Sequence, residues 1–396
     1  MSGGTRSGTI AIVGAGITGL TLAAALRHVG IDCVVYEKAA AFGEVGAGIQ
    51  LAPNAVRLLH RLGLAQALDE VAVRSSGIEM RSGHTGTLLG RVPLDDCASR
   101  FSAPYLLLTR ADLHGLLASL VPADIVRLGK TCHSTRETDD GVEIQFTDGT
   151  SAWADAVVGA DGIRSVMRLG RVQDAAEYSG LSVYRGMVPA ERLPPFHSEP
   201  RSVIWTGPGK HVVSYPVAAG RLVNFVVTIP APQWHLESWS EPGNVQDALD
   251  ALTDWDGAVR TLVQAAESVT RWALHTRNAD PQWSTRRTTL AGDAAHPMLP
   301  FMAQGANQGI EDAVALAAAL FESGPADIPG ALRSYELTRR RRATSVQRLS
   351  AEAANAFHGT GDPAASGPDD GAAGVAALGA LTELFDHHIG LPEPAV

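Results

Sequence analysis

A glycine-rich turn near the start of the chain constrains its fold more than any other feature. Residues 9–13 form a short β-branched run typical of a buried strand, and the sequence GAGITG follows at 14–19. An apolar helix is predicted at about 20–29 and a second strand at 33–36. This βαβ unit predicts an α/β fold that contains a parallel sheet.

The three glycines of the turn have distinct roles in binding a dinucleotide. Gly14 allows the tight turn, Gly16 lets the backbone approach a pyrophosphate, and Gly19 allows close packing of the helix on the strand. The helix N-terminus offers unpaired N–H groups and the positive end of its dipole to the phosphates. Glu37 ends the second strand, where a carboxylate accepts hydrogen bonds from ribose hydroxyls. The segment therefore predicts a dinucleotide site.

Two later segments also place an aspartate after a strand. VVGADGIRSVMR leads from a strand into Asp161, and LAGDAAHP leads from a buried strand at 288–291 into Asp293. A simple Rossmann dehydrogenase for NAD requires neither aspartate. A helix is expected from about Asn307, and its positive end would be directed at the same ligand. These turns predict a long ligand that is contacted from several distant segments.

Composition excludes several classes of protein. The chain has 396 residues, 45% of them hydrophobic, and a net charge of −10, so its overall field does not favour nucleic-acid binding. It has no run of 18 apolar residues and no secretory signal pattern, which predicts a cytoplasmic protein without a membrane span. Cys33, Cys97 and Cys132 lack zinc or redox spacing, and we expect no metal site.

Changes in residue composition and in the hydrophobic pattern divide the chain into four segments. Residues 1–176 are expected to form the first part of a discontinuous nucleotide-binding domain, and residues 276–357 its second part. Alternating apolar runs at 177–275 predict an inserted domain with an antiparallel sheet. Residues 358–396 are expected to be a flexible linker followed by a C-terminal helix.

Several elements within these segments are predicted individually. Thr109 is expected to cap a helix that follows a strand at 106–108. The other expected elements are helices at 53–62, 110–120, 329–355 and 375–385, and a hairpin of strands 142–146 and 151–158. A run of arginines at 339–342 is interpreted as a solvated, salt-bridged helix face.

The three strand-end motifs together resemble a known family. GAGITGL with Glu37, the ADG of Asp161 and LAGDAAHP with Asp293 are similar to the single-component FAD-dependent aromatic hydroxylases. These are the class A flavoprotein monooxygenases with the para-hydroxybenzoate hydroxylase fold. Within the family, the chain most resembles the salicylate hydroxylase, 3-hydroxybenzoate 6-hydroxylase and 6-hydroxynicotinate 3-monooxygenase branch. The resemblance implies a Rossmann-like FAD-binding domain of glutathione-reductase type, an inserted antiparallel-sheet substrate domain and C-terminal helices.

The resemblance also implies which residues hold FAD. The residues implied to hold the ADP half are Gly14, Gly16, Gly19, Glu37 and Lys38. The residues implied near the pyrophosphate, the ribityl chain or the flavin are Arg110, Asp161, Asp293, Pro300, Gly305, Ala306 and Asn307. Asp161 is further implied to help bind NADH or NADPH transiently.

In this family NAD(P)H reduces FAD, dioxygen adds to the flavin, and the resulting C4a-hydroperoxide attacks an electron-rich phenolic or heteroaromatic ring. The difficult chemistry belongs to the cofactor. The protein is implied to exclude water, orient the ring and promote loss of a phenolic proton. The expected partners are therefore a small aromatic substrate and dioxygen, with the protein a monomer or homodimer.

Three residues are candidates for the substrate pocket. His211 and Tyr215 lie four residues apart in GKHVVSYPV, so on a regular strand both face the same side. The resemblance assigns them orienting and acid–base roles, although a packed strand with a partly buried histidine also fits. Gln50 is implied to lie between flavin and substrate. Arg185 could meet a carboxylate or NAD(P)H, or could join the domains.

Other functions remain open from the sequence. The same cofactor chemistry supports epoxidation, oxidative decarboxylation or cyclisation of a natural-product intermediate, and a non-catalytic flavin-binding redox sensor is a different class. A flavin-dependent halogenase is disfavoured because Trp234 and Trp239 do not fit its W-x-W-x-I-P segment, and no lysine lies in a suitable inner segment. The sequence leaves open the specific substrate, the position of oxygenation and the choice between NADH and NADPH.

Overall fold

The computed structural model describes residues 9–43, 47–169, 176–231, 240–278, 282–358 and 369–393. Trp234 and Trp239, used above in the comparison with halogenases, lie outside these ranges. The strands of the described residues are β1 (Ile10–Val13), β2 (Cys33–Tyr36), β3 (Gly48–Leu51), β4 (Val73–Arg74), β5 (Gly77–Ser82), β6 (Leu88–Pro93), β7 (Leu106–Thr109), β8 (Val126–Arg127), β9 (Cys132–Glu137), β10 (Val142–Phe146), β11 (Ser151–Ala154), β12 (Ala156–Gly159), β13 (Glu177–Pro189), β14 (Ser202–Gly207), β15 (Lys210–Val217), β16 (Leu222–Pro230), β17 (Ser240–Gly243), β18 (Val269–Thr276) and β19 (Thr288–Leu290).

The α-helices of the same residues are α1 (Ile17–His28), α2 (Pro53–Arg61), α3 (Ala65–Val71), α4 (Cys97–Phe101), α5 (Arg110–Ser119), α6 (Val166–Leu169), α7 (Val245–Asp250), α8 (Gly257–Gln264), α9 (Gly305–Ser323), α10 (Ile328–His358) and α11 (Asp369–Glu383). The predicted cap of α5 is confirmed, because Thr109 Oγ1 accepts the Asp112 backbone N–H at 2.9 Å. Within the described ranges, no helix is long and apolar enough to cross a membrane.

A five-stranded parallel sheet forms the nucleotide-binding part of the molecule. Its strand order is β19-β12-β1-β2-β8, and every adjacent pair is parallel. Val13 is in register with Tyr36 and with Gly159, and Gly159 is in register with Leu290. The carboxyl ends of four strands therefore meet at one edge. The predicted Rossmann-like α/β arrangement is confirmed.

Helices α1 and α9 pack closely because glycines leave room for Thr18. A Cβ atom on Gly309 would lie 2.2 Å from Thr18 Oγ1, and one on Gly292 would lie 2.4 Å from it. No side chain tolerates so short a separation. Gly309 therefore has a packing role, and it fixes α9 against the helix that follows the glycine turn.

The second large layer is an eight-stranded mixed sheet. Its order is β17-β18-β13-β16-β15-β14-β5-β6, and its neighbours are antiparallel except for the parallel pair β14–β5. Segment 177–275 supplies most of the strands, as expected for the inserted antiparallel sheet. Strands β5 and β6 come from earlier in the chain and extend the sheet at one end.

The predicted strand at 151–158 is wrong, because the structure has two strands there. Ser151–Ala154 pairs antiparallel with β10, whereas Ala156–Gly159 joins the parallel sheet beside β1. Asp155 separates them, and its Oδ2 accepts the Thr9 backbone N–H at 2.7 Å. Side-chain alternation continued through this residue, so periodicity alone did not reveal the change of sheet.

The C-terminal helices differ from their predicted bounds. Helix α10 continues to His358 and α11 begins at Asp369, so both overlap the linker expected at 358–374. Residues 359–368 of that linker lie outside the described residues. Helix α11 packs against β5, β6 and α10.

The arginine run at 339–342 was predicted to be a solvated face, and this is wrong for Arg339. Its side chain is fully buried and pairs with Glu311 at 2.5 Å and Asp312 at 2.8 Å. Arg342 also pairs with Glu311, at 2.7 Å. Helix α9 presents two adjacent carboxylates towards α10, and these require buried cations because an unpaired buried charge is costly.

Candidate active site

Two cavities lie along the edge where the parallel strands end. The first has a volume of about 470 Å³, and its lining includes Gly14, Gly16, Glu37, Lys38, Arg110 and Asp161. The second has a volume of about 310 Å³, and its lining includes Gln50, Arg110, Arg185, His211, Tyr215, Asp293, Pro300, Gly305 and Ala306. Arg110 lines both cavities. The structure therefore brings the distant sequence motifs to one elongated site.

The glycine turn is closely packed except where a ligand would approach. Gly14 has φ +107°, and a Cβ there would lie 2.4 Å from the Ala160 carbonyl oxygen. A Cβ on Gly19 would lie 1.9 Å from the Gly14 carbonyl oxygen. Gly16, by contrast, has no protein atom within 4 Å of its Cβ position. Gly14 and Gly19 thus shape the turn, while Gly16 leaves its backbone open to the first cavity.

Carboxylates are fixed at the same edge. Glu37 accepts the backbone N–H of Ala15 and of Ala39, each at 2.8 Å. Asp161 Oδ2 accepts the Val166 N–H at 2.8 Å, whereas its Oδ1 is buried and has no hydrogen-bond partner among the described residues. Burial raises the pKa of Asp161. An oxygen in this position needs a donor, and the cavity beside it can supply one from a ligand.

Asp293 lies where the two halves of the site meet. Its side chain opens to the second cavity while protein surrounds it, and this enclosure raises the pKa of its carboxyl, opposed by His296 and Arg110. The preceding residue, Gly292, donates its N–H to Asp312 Oδ2 at 2.9 Å. His296 Nε2 is 2.5 Å from the same oxygen. His296 therefore shapes the loop, and the described residues contain no cluster suited to a metal ion.

The start of α9 faces the second cavity. A Cβ on Gly305 would touch only Asp293 Oδ1 and Met298 Cγ, each at 3.8 Å, so space remains beside the helix N-terminus. Asn307, predicted to contact the cofactor, lies in neither cavity wall. Its Oδ1 accepts the Ala52 N–H at 2.8 Å and its Nδ2 donates to the Gln50 carbonyl at 3.1 Å. Asn307 therefore holds the strand that carries Gln50.

The wall of the second cavity contains a polar cluster around Gln50. Tyr105 donates its hydroxyl hydrogen to Gln50 Oε1 at 2.9 Å, and Ser202 does so at 3.2 Å. Tyr215 lies in the same wall, and burial raises its pKa to about 12, opposed by Arg185 and by hydrogen bonding with Gln50. Tyr215 is consequently a neutral hydroxyl near pH 7. Tyr105 and Ser202 were missed because nothing in their local sequence distinguishes them.

His211 faces the cavity with Tyr215, as strand alternation predicted, but its two ring nitrogens have protein partners. Nδ1 is 2.8 Å from His358 Nε2, and Nε2 is 3.2 Å from Thr228 Oγ1. Burial and His358 hold the pKa of His211 well below its usual value, and burial lowers that of His358 to about 4. Both imidazoles are neutral near pH 7. Neither ring nitrogen of His211 is therefore free to act as a base on a ligand in this cavity.

Arg185 provides a cation in the second cavity. Protein encloses its guanidinium, which lies 5.8 Å from the centre of the Trp272 ring, and its Nε has no hydrogen-bond partner among the described residues. Burial lowers the pKa of Arg185. The sequence left three roles open for this residue, since a single arginine on a strand does not show which way it points.

The two cavities, which share Arg110 in their walls, fit FAD. An open glycine turn and an unpartnered Asp161 oxygen lie at one end, and Asp293 with a helix N-terminus lies at the other. A dinucleotide with a ribityl chain and a flavin is long enough to occupy both. His211, Tyr215 and Arg185 also line the second cavity.

Comparison with known proteins identifies the family. Residues 8–350 match a family described as an FAD binding domain. The chain is 48% identical over 357 residues to 3-amino-4-hydroxybenzoate 2-monooxygenase PtnB3 of Streptomyces platensis, which covers 89% of each protein. It is 35% identical over 347 residues to 6-hydroxynicotinate 3-monooxygenase of Bordetella bronchiseptica, covering 86% of this chain and 90% of that protein.

A solved structure gives the same result. A salicylate hydroxylase in complex with its substrate superimposes with a TM-score of 0.84 at 27% identity, covering 99% of this chain and 100% of that chain. These relatives are named as monooxygenases or a hydroxylase of aromatic acids, which does not favour epoxidation, cyclisation or a non-catalytic sensor. The chain therefore belongs to the FAD-dependent aromatic hydroxylases, and it is an NAD(P)H-dependent flavoprotein monooxygenase of that class.

Proposed function

We propose that this enzyme hydroxylates 3-amino-4-hydroxybenzoate at C2, the reaction named for the relative that is 48% identical. The 6-hydroxynicotinate enzyme is less similar, at 35%. One atom of dioxygen enters the ring and the other leaves as water, with two electrons supplied by NAD(P)H. The proton displaced from C2 goes to solvent.

The observation that carries this proposal is the enclosed guanidinium of Arg185. An arginine without a partner at Nε, in the wall of a cavity, is suited to a planar anion. A benzoate carboxylate would satisfy it, and the ring would then extend towards Tyr215 and Gln50. The favourable charge pairing would also offset the desolvation that lowers the pKa of Arg185.

The polar cluster would orient the amine and hydroxyl of the ring. C2 is adjacent to the amine-bearing carbon and meta to the hydroxyl, so the amine lone pair activates the carbon that is attacked. Gln50 Oε1 already accepts hydrogen bonds from Tyr105 and Ser202, and together with Tyr215 it forms a rigid polar wall. We assign Tyr215 and Gln50 to orienting the ring. His211 would position this wall through its contacts with His358 and Thr228.

The same proposal assigns the cofactor contacts. FAD, when bound, accepts two electrons from NAD(P)H and activates dioxygen. The residues proposed to hold its adenosine and pyrophosphate are Gly14, Gly16, Glu37, Lys38 and Asp161. The residues proposed at its ribityl and flavin end are Arg110, Asp293, Pro300, Gly305 and Ala306. Gly19 and Asn307 would contribute by fixing the turn and the Gln50 strand.

We also propose a cytoplasmic location and a division of the chain into domains. Cys33, Cys97 and Cys132 are buried free thiols, which agrees with a reducing cytoplasm. We also propose that residues 1–176 and 276–357 form the FAD-binding part, 177–275 the substrate domain, and 358–396 a C-terminal extension, with β5 and β6 crossing into the large sheet.

The test compares substrates in the FAD-loaded enzyme. Flavin reduction by NADH and by NADPH is followed with 3-amino-4-hydroxybenzoate, 6-hydroxynicotinate or salicylate, and products formed under isotopically labelled dioxygen are analysed by mass spectrometry. We expect the aminohydroxybenzoate to accelerate reduction most and to acquire one labelled oxygen at C2. Tighter coupling with 6-hydroxynicotinate or salicylate, or oxygenation at another carbon, would contradict the assignment.

A further inference from the structure

We propose that helix α11 limits the size of the ring that the site accepts, through the side chain of Leu381. The family match ends at residue 350, whereas α11 spans Asp369–Glu383. Leu381 is only 2% exposed, yet it lines the second cavity together with Ile78 and Tyr105. An element C-terminal to the segment that matches the FAD binding domain family therefore supplies part of the substrate wall.

Two glycines let α11 lie close enough to the sheet for this contact. A Cβ on Gly374 would lie 2.4 Å from Met80 Sδ, and one on Gly90 would lie 2.4 Å from Val375 Cγ2. A side chain at Gly90 would meet Val375 of α11, and one at Gly374 would meet Met80 of β5, so the two glycines allow α11 to approach the sheet this closely. The close approach therefore determines where the Leu381 side chain ends.

Hydrogen bonds from two arginine side chains to backbone carbonyls fix the chain just after Leu381. The buried Arg57 donates from Nη2 to the carbonyl oxygens of Phe385, at 2.8 Å, and His387, at 2.7 Å. Arg342 donates to the Leu384 carbonyl at 2.9 Å. These bonds come from α2 and α10 and do not involve the Leu381 side chain. A substitution at 381 therefore changes the wall while the helix keeps its anchors.

The expected effect is on substrate choice. Leucine at a cavity wall excludes a substituent of a few carbon atoms, and a methylene in an apolar pocket changes selectivity by about 10–200-fold. Shortening this side chain opens space for an additional methyl group on the ring. Lengthening it fills space that the ring itself needs.

The first experiment compares Leu381→Ala, Leu381→Phe and the matched control Leu384→Ala in the FAD-loaded enzyme. Leu384 is 8% exposed, belongs to the same apolar cluster and is absent from the cavity lining. The probes are 3-amino-4-hydroxybenzoate and its 5-methyl derivative, with binding followed by flavin difference spectra. We expect Leu381→Ala to favour the methylated ring by about 10-fold relative to the control, and Leu381→Phe to weaken binding of both probes. Equal selectivity in Leu381→Ala and Leu384→Ala overturns the proposal.

This first experiment depends on the proposed substrate, so a second experiment is designed that requires no substrate. Leu381→Cys and Leu384→Cys holoproteins are treated with benzyl methanethiosulfonate, with the unsubstituted protein as a blank for its buried native thiols. The thiol at 381 should react and shift the visible flavin spectrum, because the benzyl group enters the cavity. The thiol at 384 should leave the spectrum unchanged. No reaction at 381, or identical spectra for both variants, contradicts the proposal even if 3-amino-4-hydroxybenzoate is not the substrate.

Discussion

The guanidinium of Arg339 lies 2.8 Å from the Asp312 carboxylate, and both side chains are fully buried. Asp312 also accepts the Gly292 N–H, one residue before Asp293. The pair therefore connects α10 to the loop that carries the aspartate of the second cavity. Glu311, the preceding residue of α9, also pairs with Arg339, and Arg342 supplies a second cation for the two carboxylates.

Removing the cation of this network should be strongly destabilising. Arg339→Ala leaves two carboxylates with less compensation, and we expect the free energy of unfolding to fall by about 3–5 kcal/mol. Arg341→Ala, at an exposed position of the same helix, is the control and should change it by less than about 0.5 kcal/mol. Urea denaturation of the two variants measures the difference. Similar losses in both would show that the buried network contributes little.

Enlarging Gly19 should abolish cofactor binding. A Cβ there would lie 1.9 Å from the Gly14 carbonyl oxygen, so Gly19→Ala must displace the turn. Gly115→Ala, in α5, meets nothing within 4 Å and should raise stability by about 0.5–1 kcal/mol with FAD retained. The measurement is the ratio of FAD to protein after purification. A full complement of FAD in Gly19→Ala would argue against a tight turn.

Replacing Tyr215 tests the orienting role of the polar wall. Tyr215→Phe keeps the ring and removes one hydrogen bond, so we expect product formed per NAD(P)H consumed to fall by up to about 10-fold, with FAD retained. Burial raises the pKa of Tyr215 to about 12, so its effect should not vary between pH 6 and about pH 10. Tyr184→Phe, buried outside the cavity lining, is the matched control. Unchanged coupling in Tyr215→Phe would remove this residue from the mechanism.

Arg185 should recognise the carboxylate and not the rest of the ring. Truncating one member of a buried charge pair costs about 2–5 kcal/mol, so Arg185→Gln should weaken binding of 3-amino-4-hydroxybenzoate by about 100-fold or more. 2-Aminophenol lacks the carboxylate and should bind the two proteins with similar affinity. Flavin difference spectra give both dissociation constants. Parallel losses for both ligands would indicate a general structural role for Arg185.

The imidazole pair should make the fold sensitive to acid. Burial lowers the pKa of His358 to about 4, below the value of about 6.5 expected for an unfolded histidine. Between these values the unfolded chain binds more protons, so stability falls as the pH decreases from about 6.5 towards about 4. We expect His358→Gln to reduce this slope by up to about one proton. Urea denaturation at several pH values tests this, with the exposed His133→Gln as control, and an unchanged slope would contradict it.

Much of the proposed cofactor site was predictable from the sequence because its conformational constraints are local. A turn that requires a positive φ, such as the +107° of Gly14, restricts the residue to glycine, and a carboxylate directly after a buried strand must lie at the end of the sheet. Once the strands were taken as parallel, Asp161 and Asp293 had to lie at the same edge as Glu37. The misplaced elements were those where a long-range partner overrode the local pattern, as at Asp155, which separates two sheets.

The arrangement of side chains in and around the second cavity was less predictable from the sequence. Strand periodicity showed that His211 and Tyr215 share a face. It did not show that His358, at the end of α10, lies within hydrogen-bonding distance of the Nδ1 atom of His211. Asn307 lies in the expected segment, yet its amide is directed to backbone groups of another strand. The burial of Arg339 likewise depends on carboxylates from a different helix.

The sequence alone determined the parallel sheet, the dinucleotide edge and the family, because turn stereochemistry and side-chain period are properties of short segments. The tertiary structure decided which side chains surround the second cavity: Arg185 enclosed in its wall, Gln50 between two hydroxyls, and Leu381 reaching in from the C-terminal helix. Those positions depend on packing between segments that are distant in the sequence, where the balance of burial, charge pairing and close contact has no local signature.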